Sequence, residues 1–129
     1  MRAVDIMQRD ILAVSPELPL ESLEEFFATE DISGAPVQDE RGHIVGIVSK
    51  TDLVRAFSGH DESGASQVSN EGLTVEDIMT RDVVTVSPED EVEAVVQRML
   101  DGRLHRVLVA RNNELLGIIT TFDLLELLV

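Results

Sequence analysis

An internal repeat constrains this chain of 129 residues more than any other feature of its sequence. The stretch DIMQRDILAVSPE at 5–17 returns as DIMTRDVVTVSPE at 77–89, an offset of 72 residues. Further along, VGIVSKTDL at 45–53 returns as LGIITTFDL at 116–124, an offset of 71. The residue lost between the two matches falls in a turn, where DERGH becomes RNNE. The chain is therefore one supersecondary unit used twice.

Each copy shows the same order of predicted elements, strand, helix, strand, strand, helix. In the first copy these are ILAV (11–14), PLESLEEFFATE (19–30) with Leu20, Leu23 and Phe27 on one stripe, APV (35–37), HIVGIVS (43–49) and DLVRAF (52–57). In the second copy the helical stripe is Val92, Val95, Val96, Met99 and Leu100. This spacing is typical of a helix that packs on a sheet, so the predicted fold class is α/β (α+β).

The repeat also sets the predicted domain limits. The first copy spans 1–58 and the second 73–129, and between them 59–72 is rich in Ser and Gly without apolar periodicity, which predicts a flexible linker. A copy of about sixty residues buries little core of its own. We therefore expect the two copies to pack sheet to sheet as one domain with pseudo-twofold symmetry.

The charge of the chain excludes two classes of partner. Ten Lys and Arg face 25 Asp and Glu, a formal charge of −15, and no basic cluster interrupts the acidic surface. Such a surface repels nucleic acid and anionic membrane. With Lys50 the single lysine against nine arginines, the composition predicts a halophilic source. Without a leader or an apolar run of membrane-spanning length, we predict a cytoplasmic protein, and without cysteine it has no disulfide or thiolate metal site.

A hydroxyl and a carboxylate three residues apart follow the last strand of each copy, as Ser49 and Asp52 and as Thr120 and Asp123. This is the spacing of a helix capping box, which needs no ligand. The same groups can also take a nucleoside, because the carboxylate can accept both ribose hydroxyls and the hydroxyl and free N–H groups can hold a phosphate or sugar oxygen. The spacing alone leaves both interpretations open.

The doubled unit, with its DIM openings, VSPE turns, GAPV and GI(V/I)(S/T)xxDL, closely resembles a tandem pair of CBS domains, the Bateman module. The resemblance implies two β-α-β-β-α repeats with adenosine-containing ligands in the clefts between them. It assigns ribose binding to Asp52 and Asp123, and a hydroxyl near ribose or phosphate to Ser49 and Thr120. The implied ligand is AMP, ADP, ATP or an S-adenosyl compound.

The resemblance also assigns the phosphate and the adenine, and here the copies differ. Arg106, preceded by His105, stands at the position of a phosphate-binding Arg, whereas the first copy has Gly34 there and Lys50 as its nearest cation by motif. An Arg suits this role because it pairs with phosphate through two hydrogen bonds. The resemblance implies an adenine pocket formed by Ile11, Ile32, Gly34, Val83 and Leu104.

Three functions are weighed from the sequence. The first is a regulatory sensor of an adenosyl ligand that acts through the packing of repeats or chains on an unknown effector protein. The second is a ligand-free interaction module in which the motifs only cap helices. The third, a small hydrolase or transferase, has no nucleophile and base placed by motif, so we predict no enzyme and no catalytic cofactor. Mg²⁺ is expected only with a nucleotide polyphosphate. The apolar LLELLV at 124–129 predicts a homodimer.

Overall fold

Two small sheets and the helices against them make up the described part of the chain, residues 1–58 and 72–129 of a computed structural model. The predicted linker therefore lies outside the described residues except for Gly72. In chain order the elements are α1 (Ala3–Ile6), α2 (Leu20–Glu30), β1 (Gly34–Gln38), β2 (Ile44–Ser49), α3 (Lys50–Ser58), α4 (Val75–Ile78), β3 (Thr85–Val86), α5 (Val92–Gly102), β4 (Arg106–Arg111), β5 (Glu114–Thr120) and α6 (Thr121–Glu126). The mixed α/β class predicted from the repeat is confirmed. Across the described ranges, no helix is long and apolar enough to cross a membrane.

The chain divides into two compact units that do not follow the limits of the repeat. The continuous unit is Leu12–Val83, and the split unit joins Met1–Ile11 to Val84–Val129. The segment that opens each copy thus packs with the body of the other copy. The sequence repeat remains, but the boundaries 1–58 and 73–129 do not describe the compact units, because packing and not chain order decides which residues share a core.

The continuous unit is built on the antiparallel pair β1 and β2. The predicted stripe of α2 is confirmed, since Leu20, Leu23 and Phe27 are all buried. They pack in one core with Val37 of β1 and Val48 of β2. The helix ends at Asp31, whose left-handed backbone (φ 55) closes the last turn.

In the split unit, β4 lies between β3, to which it is parallel, and β5, to which it is antiparallel. Only part of the predicted stripe of α5 packs in the core. Val95 and Met99 are buried, whereas Leu100 is 67% exposed. The expectation that the whole stripe covers the sheet is therefore wrong. A helix touches a sheet along a narrow line, and the outer edge of this stripe turns away from it.

The strand predicted over 11–14 is also wrong. Only Val14 pairs, in an isolated parallel bridge with Val37. Pro16, which has no N–H to donate, limits the pairing on one side, and the passage of the chain between units at Ile11 limits it on the other. The one-turn helices α1 and α4 were not predicted, because they are too short to show periodicity.

A glycine in each unit admits the opening segment of the other copy. Ile118 exchanges two backbone hydrogen bonds with Gln8 (2.8 and 3.0 Å), and Ile47 exchanges two with Thr80 (both 2.9 Å). A Cβ on Gly117 would lie 2.5 Å from the Met7 sulfur and 3.0 Å from the Gln8 carbonyl oxygen. A Cβ on the matching Gly46 would lie 2.7 Å from the Met79 sulfur. The repeated glycine is therefore required by close approach of the opening segment.

Candidate functional site

The first repeated motif forms a capping box where β2 passes into α3. The Ser49 N–H and hydroxyl donate to Asp52 Oδ2 at 2.9 and 3.0 Å, and the Asp52 N–H donates to Ser49 Oγ at 3.2 Å. The second carboxylate oxygen, Oδ1, lies 3.5 Å from Nη1 of Arg55, one turn along the same helix. The Asp52 side chain is only 13% exposed, so this carboxylate is largely buried.

The second motif repeats this geometry where β5 passes into α6. The Thr120 N–H and hydroxyl donate to Asp123 Oδ2 at 2.8 and 3.0 Å, and the Asp123 N–H donates to Thr120 Oγ1 at 3.3 Å. Oδ1 of Asp123 has a different kind of partner from that of Asp52, since the side-chain amide of Gln8 donates to it at 2.8 Å. Both motifs therefore cap helices, and their carboxylates differ in what holds the second oxygen.

Arg106 lies beside the second motif and Gly34 beside the first. In the antiparallel registers Arg106 is opposite Thr120, and Gly34 is opposite Ser49. Opposite residues on such strands share a face, with Cβ atoms about 5 Å apart. The split unit therefore brings a cation, a hydroxyl and a carboxylate together, whereas the equivalent place in the continuous unit has no side chain.

Two further residues with predicted phosphate roles are exposed. Lys50 begins α3, and its N–H donates to the Ser33 carbonyl at 2.9 Å. The matching bond in the split unit runs from the Thr121 N–H to the His105 carbonyl at 2.9 Å. His105 lies on the lining of an apolar groove.

The residues predicted for adenine fall in both units. Ile11 and Leu104 lie in the split unit, whereas Ile32 and Val83 lie in the continuous unit. Their role in adenine binding stays a prediction. All four side chains are half-buried.

The apolar groove that His105 lines lies between α5 and α6 and has a volume of about 700 Å³. Its lining is Val96, Met99, Leu100, Arg103, Leu104, His105, Thr121, Leu124, Leu125 and Leu128. Leu100, Leu125 and Leu128 are respectively 67%, 53% and 82% exposed. We call this surface the α5–α6 groove.

The resolved pKa shifts lie away from both motifs. The pKa of Asp39 is lowered mainly because the His43 backbone N–H donates to its carboxylate. The pKa of Glu89 is lowered mainly by the Ser87 hydroxyl, with a further contribution from Arg111, which forms an ion pair with it. Within the described ranges, no group of three or more His, Asp or Glu side chains is placed to hold a metal ion.

Comparison with known proteins decides the family. The sequence profile of the CBS domain matches twice, over residues 3–59 and 75–129. The chain belongs to the CBS domain family. It is 31% identical over 126 residues to inosine-5'-monophosphate dehydrogenase of Thermoplasma acidophilum, covering 96% of this chain and 23% of that enzyme. This CBS chain spans less than half the length of the curated relatives that it matches.

Solved structures of CBS domain pairs have the same fold. The CBS domain pair of protein MJ0100, in complex with 5'-methylthioadenosine and S-adenosyl-L-methionine, is 23% identical with a TM-score of 0.80, covering 99% of this chain and 95% of that one. CBSX2 in complex with AMP is 23% identical with a TM-score of 0.83, covering 98% and 95%. At this identity the likeness shows the fold alone.

Sequence reasoning missed Gln8 as a neighbour of the second motif. Gln8 lies 115 residues from Asp123 in the chain, and no local pattern links the two. The repeat contained an indirect signal, because the invariant DIM of both copies directly precedes Gln8 and Thr80. A methionine and a glycine are present at matching positions of both copies, and this indicates that they contact each other. The pattern does not indicate which methionine contacts which glycine.

Proposed function

We propose that the protein is a regulatory module that binds an adenosine-containing ligand, either an adenine nucleotide or an S-adenosyl compound, at Asp123. The observation that carries the proposal is the Thr120 and Asp123 box with Arg106 opposite Thr120. Membership of the CBS family supports it, as do the adenosyl ligands named for two CBS structures of the same fold. The MJ0100 and CBSX2 pairs thus supply the ligand class.

The chemistry of each group follows from its position. The Asp123 carboxylate accepts hydrogen bonds from the two ribose hydroxyls, and the Thr120 hydroxyl keeps that carboxylate oriented. Arg106 supplies the positive charge that a phosphate needs in a protein of charge −15. The ligand stabilises whichever arrangement of the protein binds it more tightly, and an effector protein responds to that arrangement. The role is regulatory and not catalytic.

A ligand-free interaction module is the second candidate. It is favoured by one observation, that both carboxylates already have hydrogen-bond or ion-pair partners on each oxygen, as caps alone require. The two candidates differ in one measurable property, the binding of an adenosyl ligand.

Thermal unfolding with and without AMP, ATP and S-adenosylmethionine tests the proposed function. A ligand at a hundred times its dissociation constant is expected to raise the free energy of unfolding by about 2.7 kcal/mol. The measurement is made in dilute buffer and in molar KCl, because the halophilic source remains a prediction and salt screens repulsion among the carboxylates. Chromatography of the ATP sample is expected to show no turnover. If none of the three ligands raises the melting temperature in either buffer, the interaction module replaces the sensor.

We also propose that two copies of the chain associate through the α5–α6 groove. Among the described residues that line it, none is acidic and Arg103 is cationic, so the lining adds no carboxylate repulsion between two acidic copies. The repeat also places exposed apolar side chains on α3. Val54 and Phe57, at the positions that match Leu125 and Leu128, are 63% and 43% exposed. When the same apolar surface of two copies meets, the resulting dimer is isologous.

Leu125→Glu is expected to weaken that dimer by at least about thirtyfold, since a buried leucine contributes about 2 kcal/mol and a charge would take its place. Sedimentation velocity over a concentration series measures the change. Phe122→Glu is the matched control, because Phe122 is 72% exposed on the same helix but does not line the groove. A wild type that sediments as a monomer at every concentration, or equal weakening by both variants, contradicts the proposed interface.

A further inference from the structure

The two motif carboxylates are held by groups from different parts of the chain. Arg55 contacts Asp52 from one turn along α3, so the two move together with their helix. Gln8 contacts Asp123 from outside α6, in the segment Met1–Ile11 that opens the first copy. Of these two carboxylates, Asp123 is the one that forms a side-chain hydrogen bond to a separate described segment.

The backbone of Gln8 is fixed while its side chain is free to leave. Its N–H and C=O both pair with Ile118, and Met7 before it is buried against Gly117. The Gln8 residue itself is exposed, and the bond from its amide to Asp123 is a side-chain contact at the surface. Releasing that amide therefore breaks one hydrogen bond without unfolding the segment.

We propose that the Gln8 amide occupies Oδ1 of Asp123 in the ligand-free protein and that an adenosine-containing ligand must displace it. The inference rests on the proposed function. Oδ2 of Asp123 already accepts hydrogen bonds from the Thr120 N–H and hydroxyl, so the two ribose hydroxyls would donate to Oδ1 and fill both of its lone pairs. Gln8 donates to that same oxygen and competes for it. Gln8 is thus a positioning residue that lowers ligand affinity.

The repeat itself supplies a conservative variant. Thr80 stands at the position matching Gln8, 72 residues on. It pairs with Ile47 through both backbone groups, as Gln8 pairs with Ile118. A threonine therefore fits this backbone, but its side chain is two bonds too short to replace the glutamine amide. Gln8→Thr removes the side-chain amide that occupies Asp123 and keeps the backbone pairing.

Calorimetric titration with AMP compares the wild type with Gln8→Thr. The variant is expected to bind AMP about fivefold more tightly, which corresponds to about 1 kcal/mol for one released hydrogen bond. Gln97→Thr is the matched control. It removes a hydrogen bond from a glutamine side-chain amide to a carboxylate, that of Asp101 at 2.9 Å, on α5 and outside the motif. Its AMP affinity is expected to equal that of the wild type.

A spectroscopic measurement on the wild type keeps the test independent of how the variant folds. The side-chain amide resonances of Gln8, assigned by their loss in Gln8→Thr or by triple-resonance spectra, are expected to shift as AMP saturates the protein. Equal or weaker AMP binding by Gln8→Thr overturns the inference, as do unmoved Gln8 amide resonances at saturation. If neither protein binds AMP or S-adenosylmethionine, the proposed function fails and the inference fails with it. If the wild type and Gln8→Thr bind AMP with equal affinity, the proposed function stands and the role of Gln8 in competing for Asp123 is wrong.

Discussion

Gly117→Ala is expected to lower the free energy of unfolding by about 3 kcal/mol, the upper end for an overpacked core, and the melting temperature by about 10 °C. The new methyl group would lie 2.5 and 2.8 Å from the sulfur and Cγ of Met7 and 3.0 Å from the Gln8 carbonyl oxygen. A methionine side chain can move, but the carbonyl belongs to backbone paired with Ile118. The opening segment must therefore shift away from β5, and thermal denaturation measures the loss.

Two companion variants separate the causes of this loss. Met7→Ala combined with Gly117→Ala removes the sulfur contact but leaves the backbone contact, so it is expected to be more stable than the sum of the two single losses predicts. Gly102→Ala is the control, because the atoms nearest to its methyl group, the first of them at 3.1 Å, belong to the flexible Leu104 side chain, and alanine has a higher helix propensity than glycine. An equal loss in Gly102→Ala and Gly117→Ala would show that the close approach is not the cause.

The elements that the sequence predicted well are those with local signals. The α2 stripe of Leu20, Leu23 and Phe27 is periodic over about two turns, and all three side chains are buried. The two hairpins are marked by alternation and by turn residues such as Gly42, which adopts φ 83. Local pattern is sufficient where an element is long and one of its faces is covered.

The exchange of opening segments could not be predicted, because each copy presents the same groups to either partner. DIM precedes Gln8 in one copy and Thr80 in the other, and Gly46 and Gly117 would each admit either segment. The sequence predicts that a close contact exists but not which pair forms.

In the candidate site, residue spacing predicted the two capping boxes. It did not predict the partners of the second carboxylate oxygen, Oδ1, of Asp52 and Asp123. Ser49 with Asp52 and Thr120 with Asp123 lie three residues apart, and the structure forms both boxes. The bond from Gln8 depends on tertiary packing across 115 residues, and no spacing rule reaches that far. The roles of these residues in ligand binding remain proposals.

Asp123→Asn is expected to lower AMP affinity about a hundredfold, which corresponds to about 3 kcal/mol for two charge-assisted hydrogen bonds to ribose replaced by weaker ones. Calorimetric titration measures it. The same substitution also weakens a capping box, by about 1 kcal/mol of stability. That second effect must be separated from binding, and the chain offers a matched box for the purpose.

Asp77→Asn is that control. Thr74 and Asp77 form the same box at the start of α4, where the Thr74 N–H donates to Asp77 Oδ2 at 2.8 Å, the distance also found between Thr120 and Asp123. Both variants are expected to lose similar stability, whereas only Asp123→Asn loses AMP affinity. Equal AMP binding by the two variants would mean that the carboxylate of the repeated motif acts on its helix alone. The hundredfold difference would mean that one carboxylate both begins α6 and recognises ribose, because a cap leaves the second oxygen available to a donor outside the helix.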